Sequence, residues 1–422
     1  MAILSQGDNA SSGFSQCCPD SEYQPINIGF WYSILHRTDQ KMETGMTKEK
    51  SKPTKANPVD GDRRNLLKAV GAGVVAATFS GVSNANSNPT AAKPLRWGIV
   101  GTGGIANSMA PRILEATSAD LVAVSSRRME SAKKFADKHG ASRAFDSWAD
   151  MLRWDGVDAI YVATPTSVRE EICVTAANHG KHVLGEKPFA NLPSLQAITS
   201  ACKANGVGFM DGTHFVHHPR TAQIKSRTAE MVGWPWSIDS AFQFMLSDKQ
   251  NIRFNPVLEP YGAIGDAGWY NMRVAVEYSA PGVEIKSVEA FLRRDPDTGA
   301  AVSGSGVIVF DDGSTNTWNC GFESGAGIMD LRISGERGVI KLDDFLSQRP
   351  RDKPADFEYR QNWNETEFIE VPSVKREATL MFEDFSAMIG NASLLEASRT
   401  ASERTQKWLD AIWNSALKNE AG

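Results

Sequence analysis

The run Gly101-Thr102-Gly103-Gly104-Ile105-Ala106 constrains the fold of this chain more than any other segment. It follows directly on a short apolar stretch, Leu95-Arg96-Trp97-Gly98-Ile99-Val100, and opens an amphipathic stretch that reaches about Ala116. A strand, a G-x-G-x-x-A turn and a helix in that order serve to hold a dinucleotide. The first glycine makes the tight turn, the second lets the backbone approach a pyrophosphate, and Ala106 lets helix pack closely on strand. The first amides of the helix then face the phosphates. A second apolar strand, Leu121 to Ser125, comes at the expected distance. Strands near Ala159 to Ala163, His182 to Gly185 and Val207 to Met210 then alternate with helices near Val168 to Asn178 and Leu192 to Asn205. This alternation predicts a doubly wound parallel sheet.

The end of the second strand bears on which dinucleotide is held. A chain selective for NAD places Asp or Glu there to bond the ribose 2′-hydroxyl, whereas this chain has Ser126-Arg127-Arg128. A carboxylate would repel a 2′-phosphate, and a hydroxyl with guanidinium groups would bind it. NADP is therefore expected in preference to NAD. The competing reading makes Arg127 and Arg128 solvated residues at a helix start.

With 422 residues, 41% hydrophobic and 23% charged, the chain is long enough for two ordinary domains and apolar enough to bury their cores. Its net charge of −5 is no footprint for nucleic acid. Cys17, Cys18, Cys173, Cys202 and Cys320 form no C-x-x-C pair and no metal-ligand spacing, so neither a disulfide framework nor a metal site is expected.

The first ninety residues have a different texture. Asp62-Arg63-Arg64-Asn65-Leu66-Leu67-Lys68 is followed by an apolar run from Ala69 to Val82 and by Ser83-Asn84-Ala85. The run is about 14 residues, short of the roughly 20 that span a membrane. Basic, then apolar, then small residues make an export signal cleaved near Ala85, and the paired arginines resemble a twin-arginine signal. This implies the twin-arginine export machinery as a partner, a periplasmic protein and no stable membrane anchor. If the signal reading is wrong, the protein is cytoplasmic. Upstream acidic residues such as Asp8 and Asp20 argue against a transit peptide, and translation is expected to start at Met42 or Met46. The expected organisation is a presequence over 1–92, a dinucleotide domain over 93–212 and a substrate and oligomerisation domain over 213–422.

Three further motifs point to one family. Ala163-Thr164-Pro165-Thr166 ends one strand, Gly185-Glu186-Lys187-Pro188 ends the next, and Gly262-Ala263-Ile264-Gly265-Asp266-Ala267-Gly268-Trp269-Tyr270 follows in the second half. With the glycine turn they resemble the Gfo/Idh/MocA oxidoreductase family over about residues 94 to 415, in particular its members with tyrosine at the position of Tyr270. The resemblance implies an α/β Rossmann domain followed by an α+β domain with an open, mainly antiparallel sheet. It implies that Lys187 points at nicotinamide and substrate and that Asp266 and Tyr270 serve the chemistry. It also places Thr164, Pro165 and Glu186 beside the cofactor, and Arg253 beside the pocket. Where members of the family often carry His five residues after the Thr of T-P, this chain has Arg169. The segment from His214 to Arg220 resembles the crossover that lines the pocket, so His218 and Arg220 are expected substrate contacts. Pairing through the outer face of the second sheet implies a homo-oligomer.

The chemistry is coherent on its own terms. Removing hydride from a carbinol carbon also requires removing the hydroxyl proton, and a tyrosine with a pKa near 10 is a poor base at neutral pH. A neighbouring ammonium such as Lys187 is expected to favour the phenolate and to polarise the forming carbonyl. Beyond residue 213 the pattern turns to alternating strands: Ile238 to Leu246, Val288 to Leu292, Gly306 to Phe310, Ser314 to Asn319 and Leu331 to Ser334. Asp311-Asp312-Gly313 marks a hairpin, and a helix near Ala397 to Leu417 closes the chain.

The expected function is an exported NADP-dependent oxidoreductase acting on a sugar or polyol. Its cofactor, cut off from the cytoplasmic pool, is expected to stay bound and to be recycled by a second carbohydrate. Two alternatives stay open: an NAD(P)-assisted glycosidase of the same superfamily, and a catalytically silent nucleotide-binding sensor.

Overall fold

The computed structural model describes residues 93–346, 355–373 and 375–421. The expected export signal, the two candidate start sites and Ala85 lie outside these residues.

The first sheet has six parallel strands: β1 (Leu95–Val100), β2 (Ala119–Ser125), β3 (Arg143–Phe145), β4 (Ala159–Val162), β5 (His182–Gly185) and β6 (Phe209–Asp211), in the spatial order β3-β2-β1-β4-β5-β6. Helices α1 (Gly104–Glu115), α2 (Met129–His139), α3 (Trp148–Arg153), α4 (Thr166–Asn178) and α5 (Leu192–Ala204) connect them. The central strands read as continuous apolar runs because both faces are covered: β4, Ala159-Ile160-Tyr161-Val162, is wholly buried. The reversal of strand order between β1 and β4 opens a crevice at the carboxyl ends of the strands, where such sheets hold their ligands. The glycine turn, Ser126, Thr164, Glu186 and Gly212 all stand at those ends.

After a 3₁₀ turn at His214–His217 and helix α6 (Pro219–Met231), the chain enters an eight-stranded sheet. Its strands are β7 (Ser237–Met245), β8 (Ile285–Arg294), β9 (Ala301–Phe310), β10 (Thr315–Gly321), β11 (Glu323–Gly335), β12 (Gly338–Leu342), β13 (Ala355–Arg360) and β14 (Thr366–Val371), ordered β14-β13-β12-β11-β7-β10-β9-β8. Every neighbouring pair is antiparallel except β7 with β10, which run parallel. The expected hairpin at Asp311-Asp312-Gly313 joins β9 to β10, with Gly313 at φ +87°.

Between β7 and β8 the chain inserts α7 (Gly262–Asp266) and α8 (Gly268–Tyr278). Helix α8 is buried along nearly its whole length, packed between the second sheet and the C-terminal helix. A helix buried on all sides must satisfy its polar groups internally. Asn271 donates to Ser240 Oγ at 2.9 Å, and Arg273 pairs with Asp211 and with Glu277, both at 2.8 Å. Asp211 in turn accepts from Thr213 and Ser402. This network ties α8 to the end of the first sheet and to the closing helix.

Two helices follow β14: α9 (Glu377–Met388) and α10 (Ala392–Glu420). Helix α10 is longer than the expected stretch near Ala397 to Leu417 and lies against α5, β6, α8 and β8. Helix α9 returns to the first sheet. Phe382 meets Trp97 edge-on at 5.1 Å and Tyr161 at 5.8 Å, and Phe385 lies 5.5 Å from Trp97.

Candidate active site

Backbone comes first. Gly101 has φ +105°, and a Cβ there would stand 2.6 Å from the carbonyl oxygen of Ala163, so the turn closes only on glycine. Gly103 and Gly104 differ: they line the cleft, and no atom lies within 4 Å of where their side chains would begin. Ala106 is fully buried under the sheet. No side chain caps the start of α1, which leaves its first amides to an external acceptor. Thr164 lines the same cleft, with its Oγ1 buried and unpartnered by protein. An uncapped helix start, an open glycine shelf and a buried hydroxyl fit a bound dinucleotide.

Ser126 follows β2, its Oγ 3.4 Å from Thr102 Oγ1, and Arg127 and Arg128 are exposed beside it. No carboxylate stands at that strand end. Pro165 starts α4, and Thr166 is held by Glu259, which accepts from its backbone amide at 3.0 Å and its hydroxyl at 2.6 Å. Arg169 is buried and donates to the carbonyl oxygens of Thr164 and Pro188. It clamps the T-P turn to the E-K-P turn, so its function in the cleft is to hold two walls together.

Lys187 follows the end of β5, before a cis Lys187-Pro188 bond, and its side chain reaches the end of α7. Its Nζ donates to the backbone carbonyl of Asp266 at 2.7 Å and to the Asp266 carboxylate at 2.8 Å. Arg253, in a 3₁₀ turn, donates to Asp266 Oδ1 at 3.0 Å and brings Nε to 2.7 Å from Oδ2. Burial alone would raise the Asp266 carboxyl, but the Lys187 and Arg253 cations outweigh it and hold it below the usual carboxylate range.

Tyr270, one turn along α8, is 7% exposed. Lys187 Nζ stands 4.6 Å from the centre of its ring, so the ammonium addresses the ring face while its hydrogen bonds go to Asp266. Burial, reinforced by the carboxylates of Glu186 and Asp266, pushes the Tyr270 phenol well above 10. The expectation that Lys187 favours the phenolate is therefore corrected. Burial, more than any neighbouring charge, favours the neutral phenol here. Glu186 is buried behind them and accepts from Tyr161; burial raises its carboxyl.

The cleft has a volume of about 540 Å³ and gathers Gly103, Gly104, Ile105, Thr164, Glu186, Lys187, Arg253, Asp266 and Tyr270. His218 and Arg220 stand elsewhere, a correction to the expected substrate contacts. His218 Nδ1 accepts from the Arg220 amide at 3.0 Å and caps α6. Arg220 is a buried structural cation, paired with Asp344 at 2.6 Å and donating to the carbonyl of Asp356 at 2.9 Å. The residue of that segment which does reach the cleft is His214, with Nε2 3.3 Å from the Tyr270 hydroxyl. Its position at the start of a three-histidine segment was the one available signal. His217 turns away to Asp384 at 2.7 Å.

Comparison with known proteins agrees with this architecture. Residues 95–213 match the family described as "Oxidoreductase family, NAD-binding Rossmann fold". The chain is 30% identical over 239 residues to the dTDP-3,4-didehydro-2,6-dideoxy-alpha-D-glucose 3-reductase of Actinomadura kijaniata, covering 56% of this chain and 71% of that one. It is 27% identical over 318 residues to scyllo-inositol 2-dehydrogenase (NADP(+)) of Bacillus subtilis, covering 74% and 93%. Among solved structures, a 3-ketoreductase from Actinomadura kijaniata in complex with NADP and TDP-benzene superposes with a TM-score of 0.70 at 24% identity, over 76% of this chain and 98% of that chain. The aldose-aldose oxidoreductase of Caulobacter crescentus, complexed with glycerol, gives 0.68 at 21% identity, over 78% and 98%. With its glycine turn, E-K-P lysine and D-x-G-x-Y helix set around one cleft, this chain belongs to the Gfo/Idh/MocA family of oxidoreductases.

Proposed function

We propose that the protein is an NADP-dependent oxidoreductase that moves a hydride between a hydroxyl-bearing carbon of a sugar or polyol and the nicotinamide ring. One observation carries this reading: Lys187, Asp266 and Tyr270 share a single cleft with the phosphate-binding turn. The bound nucleotide supplies or accepts the hydride, and the chain supplies the rest. Ser126, Arg127 and Arg128 offer a hydroxyl and two cations to a 2′-phosphate, with no carboxylate to repel it. Relatives named for NADP(+), the scyllo-inositol 2-dehydrogenase and a D-xylose 1-dehydrogenase of Haloferax volcanii, support the same choice.

Lys187 places a positive charge where oxygen of the reacting carbon gains or loses negative charge. Asp266 keeps that ammonium fixed, and its ionised carboxylate offers an acceptor to a neighbouring substrate hydroxyl. Tyr270 gives the proton that the forming alkoxide takes up on reduction, and its oxygen takes back the proton that the substrate hydroxyl loses on oxidation. Phe242, edge-on to Tyr270 at 5.6 Å, and Phe244 give the cleft the apolar face that a sugar ring's C–H edge lies against.

The finer reading is an exported enzyme, periplasmic through its twin-arginine-like segment, that keeps its NADP and recycles it by oxidising one carbohydrate and reducing another. The support is the Arg63-Arg64 segment, since a folded protein delivered outside the cytoplasm leaves its free nucleotide supply behind. The test is to purify the protein, denature it and identify released nucleotide by mass spectrometry, followed by paired sugar assays. Near-stoichiometric NADP and sugar-dependent turnover without added nucleotide are expected. A protein that arrives empty and needs free nucleotide at each turnover would refute the recycling.

A further inference from the structure

The Tyr270 phenol is buried, and among the described residues its hydroxyl has one side-chain partner, His214 Nε2 at 3.3 Å. The other nitrogen of that imidazole, Nδ1, stands 3.8 Å from Glu377 Oε1, an ion-pair distance. Glu377 is the first residue of α9, the helix that returns from the far end of the chain to cover the first sheet. His214 and Tyr270, with Phe242 and Phe244, line two adjoining cavities at once. One is the catalytic cleft; the other is also lined by Asn107, Arg112, Met329, Arg376 and Glu377. A chain of three titratable groups therefore runs from the reacting oxygen's neighbour into the second cavity.

We propose that His214 and Glu377 form a proton exit from Tyr270, so that sugar oxidation starts with transfer of the phenol's proton to His214. This inference rests on the oxidoreductase reading and assigns a residue to it that acts through Tyr270 without touching the substrate. In the oxidation half-reaction the Tyr270 O–H bond breaks and a His214 Nε2–H bond forms, giving phenolate and imidazolium. The step starts from the Nδ1–H imidazole, and the Glu377 carboxylate, 3.8 Å from Nδ1, stabilises the imidazolium. The imidazolium then gives one proton to water in the second cavity and returns to its Nδ1–H form before the next turnover. The phenolate then takes the substrate hydroxyl proton while the hydride departs to the nicotinamide. One proton reaches solvent for each carbinol oxidised, and Tyr270 ends neutral.

The reverse half-reaction has a different requirement. Reduction begins with the neutral phenol, whose proton goes directly to the alkoxide; His214 is needed only afterwards, to refill it. The arrangement thus predicts an asymmetry that a merely structural histidine would not create. Glu377 faces the imidazole in the second cavity, where Arg112, paired with Glu115, and Arg376 also stand.

The test uses full-length holoenzyme and stopped-flow absorbance of the nicotinamide. Oxidised holoenzyme is mixed with an aldose, and separately reduced holoenzyme with a ketosugar, for wild type, H214Q and E377Q. The ratio of oxidation to reduction rate constants is expected to fall about ten- to hundredfold in H214Q, the lower part of the range for acid–base groups. It should fall less in E377Q, and imidazole in the buffer should restore oxidation in an H214A variant. Both half-reactions slowing in step, or neither slowing, would overturn the relay. Thermal melts of H214Q and E377Q that match wild type report that the variants are folded. A wild-type protein whose bound nicotinamide responds to no sugar in either direction would overturn the oxidoreductase reading itself, a result distinct from loss of the asymmetry.

Discussion

Lys187 donates twice to Asp266, once to its backbone carbonyl and once to its carboxylate, and so fixes the end of α7 to the end of β5. The carboxylate also holds Arg253, so a single anion balances two cations in a largely buried place. Replacing it with a neutral amide removes the ion-pair partner of both cations. D266N is expected to lose about 3 to 5 kcal/mol in urea unfolding at neutral pH, the size of a broken buried pair. The pH sign follows from the depressed carboxyl. The stability it contributes is present above its unfolded value near 4 and is lost as pH falls towards its folded value. The gap between wild type and D266N should therefore narrow below about pH 4. A gap constant down to pH 3 would count against the assignment.

On the proposed mechanism Tyr270 carries the proton. Y270F is expected to reduce kcat by about 10² to 10⁴, the range for a positioned acid or base, with substrate KM little changed. Because burial and two carboxylates hold the phenol well above 10, ultraviolet titration of tyrosinate absorbance should give superimposable curves for wild type and Y270F until past pH 10. A tyrosinate that appears near neutrality in wild type and vanishes in Y270F would show that the ammonium does favour the anion.

Two glycines in one loop should fail in different ways. G101A meets the Ala163 carbonyl and a left-handed backbone, so it is expected to destabilise the fold by about 1 to 3 kcal/mol. G103A meets nothing in the protein, so its melting temperature should match wild type while NADP affinity falls. Thermal melts with and without nucleotide separate the two, and equal destabilisation in both would refute the distinction.

Cofactor choice should be reversible at the end of β2. S126D introduces the carboxylate that a ribose 2′-hydroxyl accepts and a 2′-phosphate does not. Combined with R127A, it is expected to weaken NADP binding by about 1.5 to 3 kcal/mol, one charge-assisted contact, and to strengthen NAD binding. Isothermal titration of both nucleotides checks this, and unchanged NADP affinity would show Arg127 to be solvent-facing only.

Much of this site is legible in the residues because its chemistry is local. A G-x-G-x-x-A turn needs its glycine within one strand-to-helix junction, and a lysine directly after a strand stands at the sheet's carboxyl edge wherever that sheet is placed. Arg169 and His214 were not legible in the same way. Their roles depend on which backbone or side chain lies opposite: the Pro188 carbonyl in one case, Tyr270 in the other. The three-histidine segment offered no period to separate its members, and the structure sends His214 to the cleft, His217 to Asp384 and His218 to a helix cap. The parallel β7–β10 pair and strands β12 to β14 were also beyond reach. Pairing between strands some 80 residues apart leaves no mark in either, and β14, exposed over most of its length, has no clean alternation.

Order along the chain and order in space part company at α9. The aromatic face of the nucleotide-binding sheet, Trp97 and Tyr161, is covered by Phe382 and Phe385, more than 160 residues beyond the sheet's last strand. A ribosome that has completed β6 has therefore made a sheet on which α1 and α2 cover part of one side, while the part around Trp97 and Tyr161 stays uncovered until almost all of the polypeptide has emerged. Cutting after residue 213 would leave that part bare in the same manner, so the N-terminal half is not a portable nucleotide-binding cassette. Genetic fusions that borrow it must carry α9 as well.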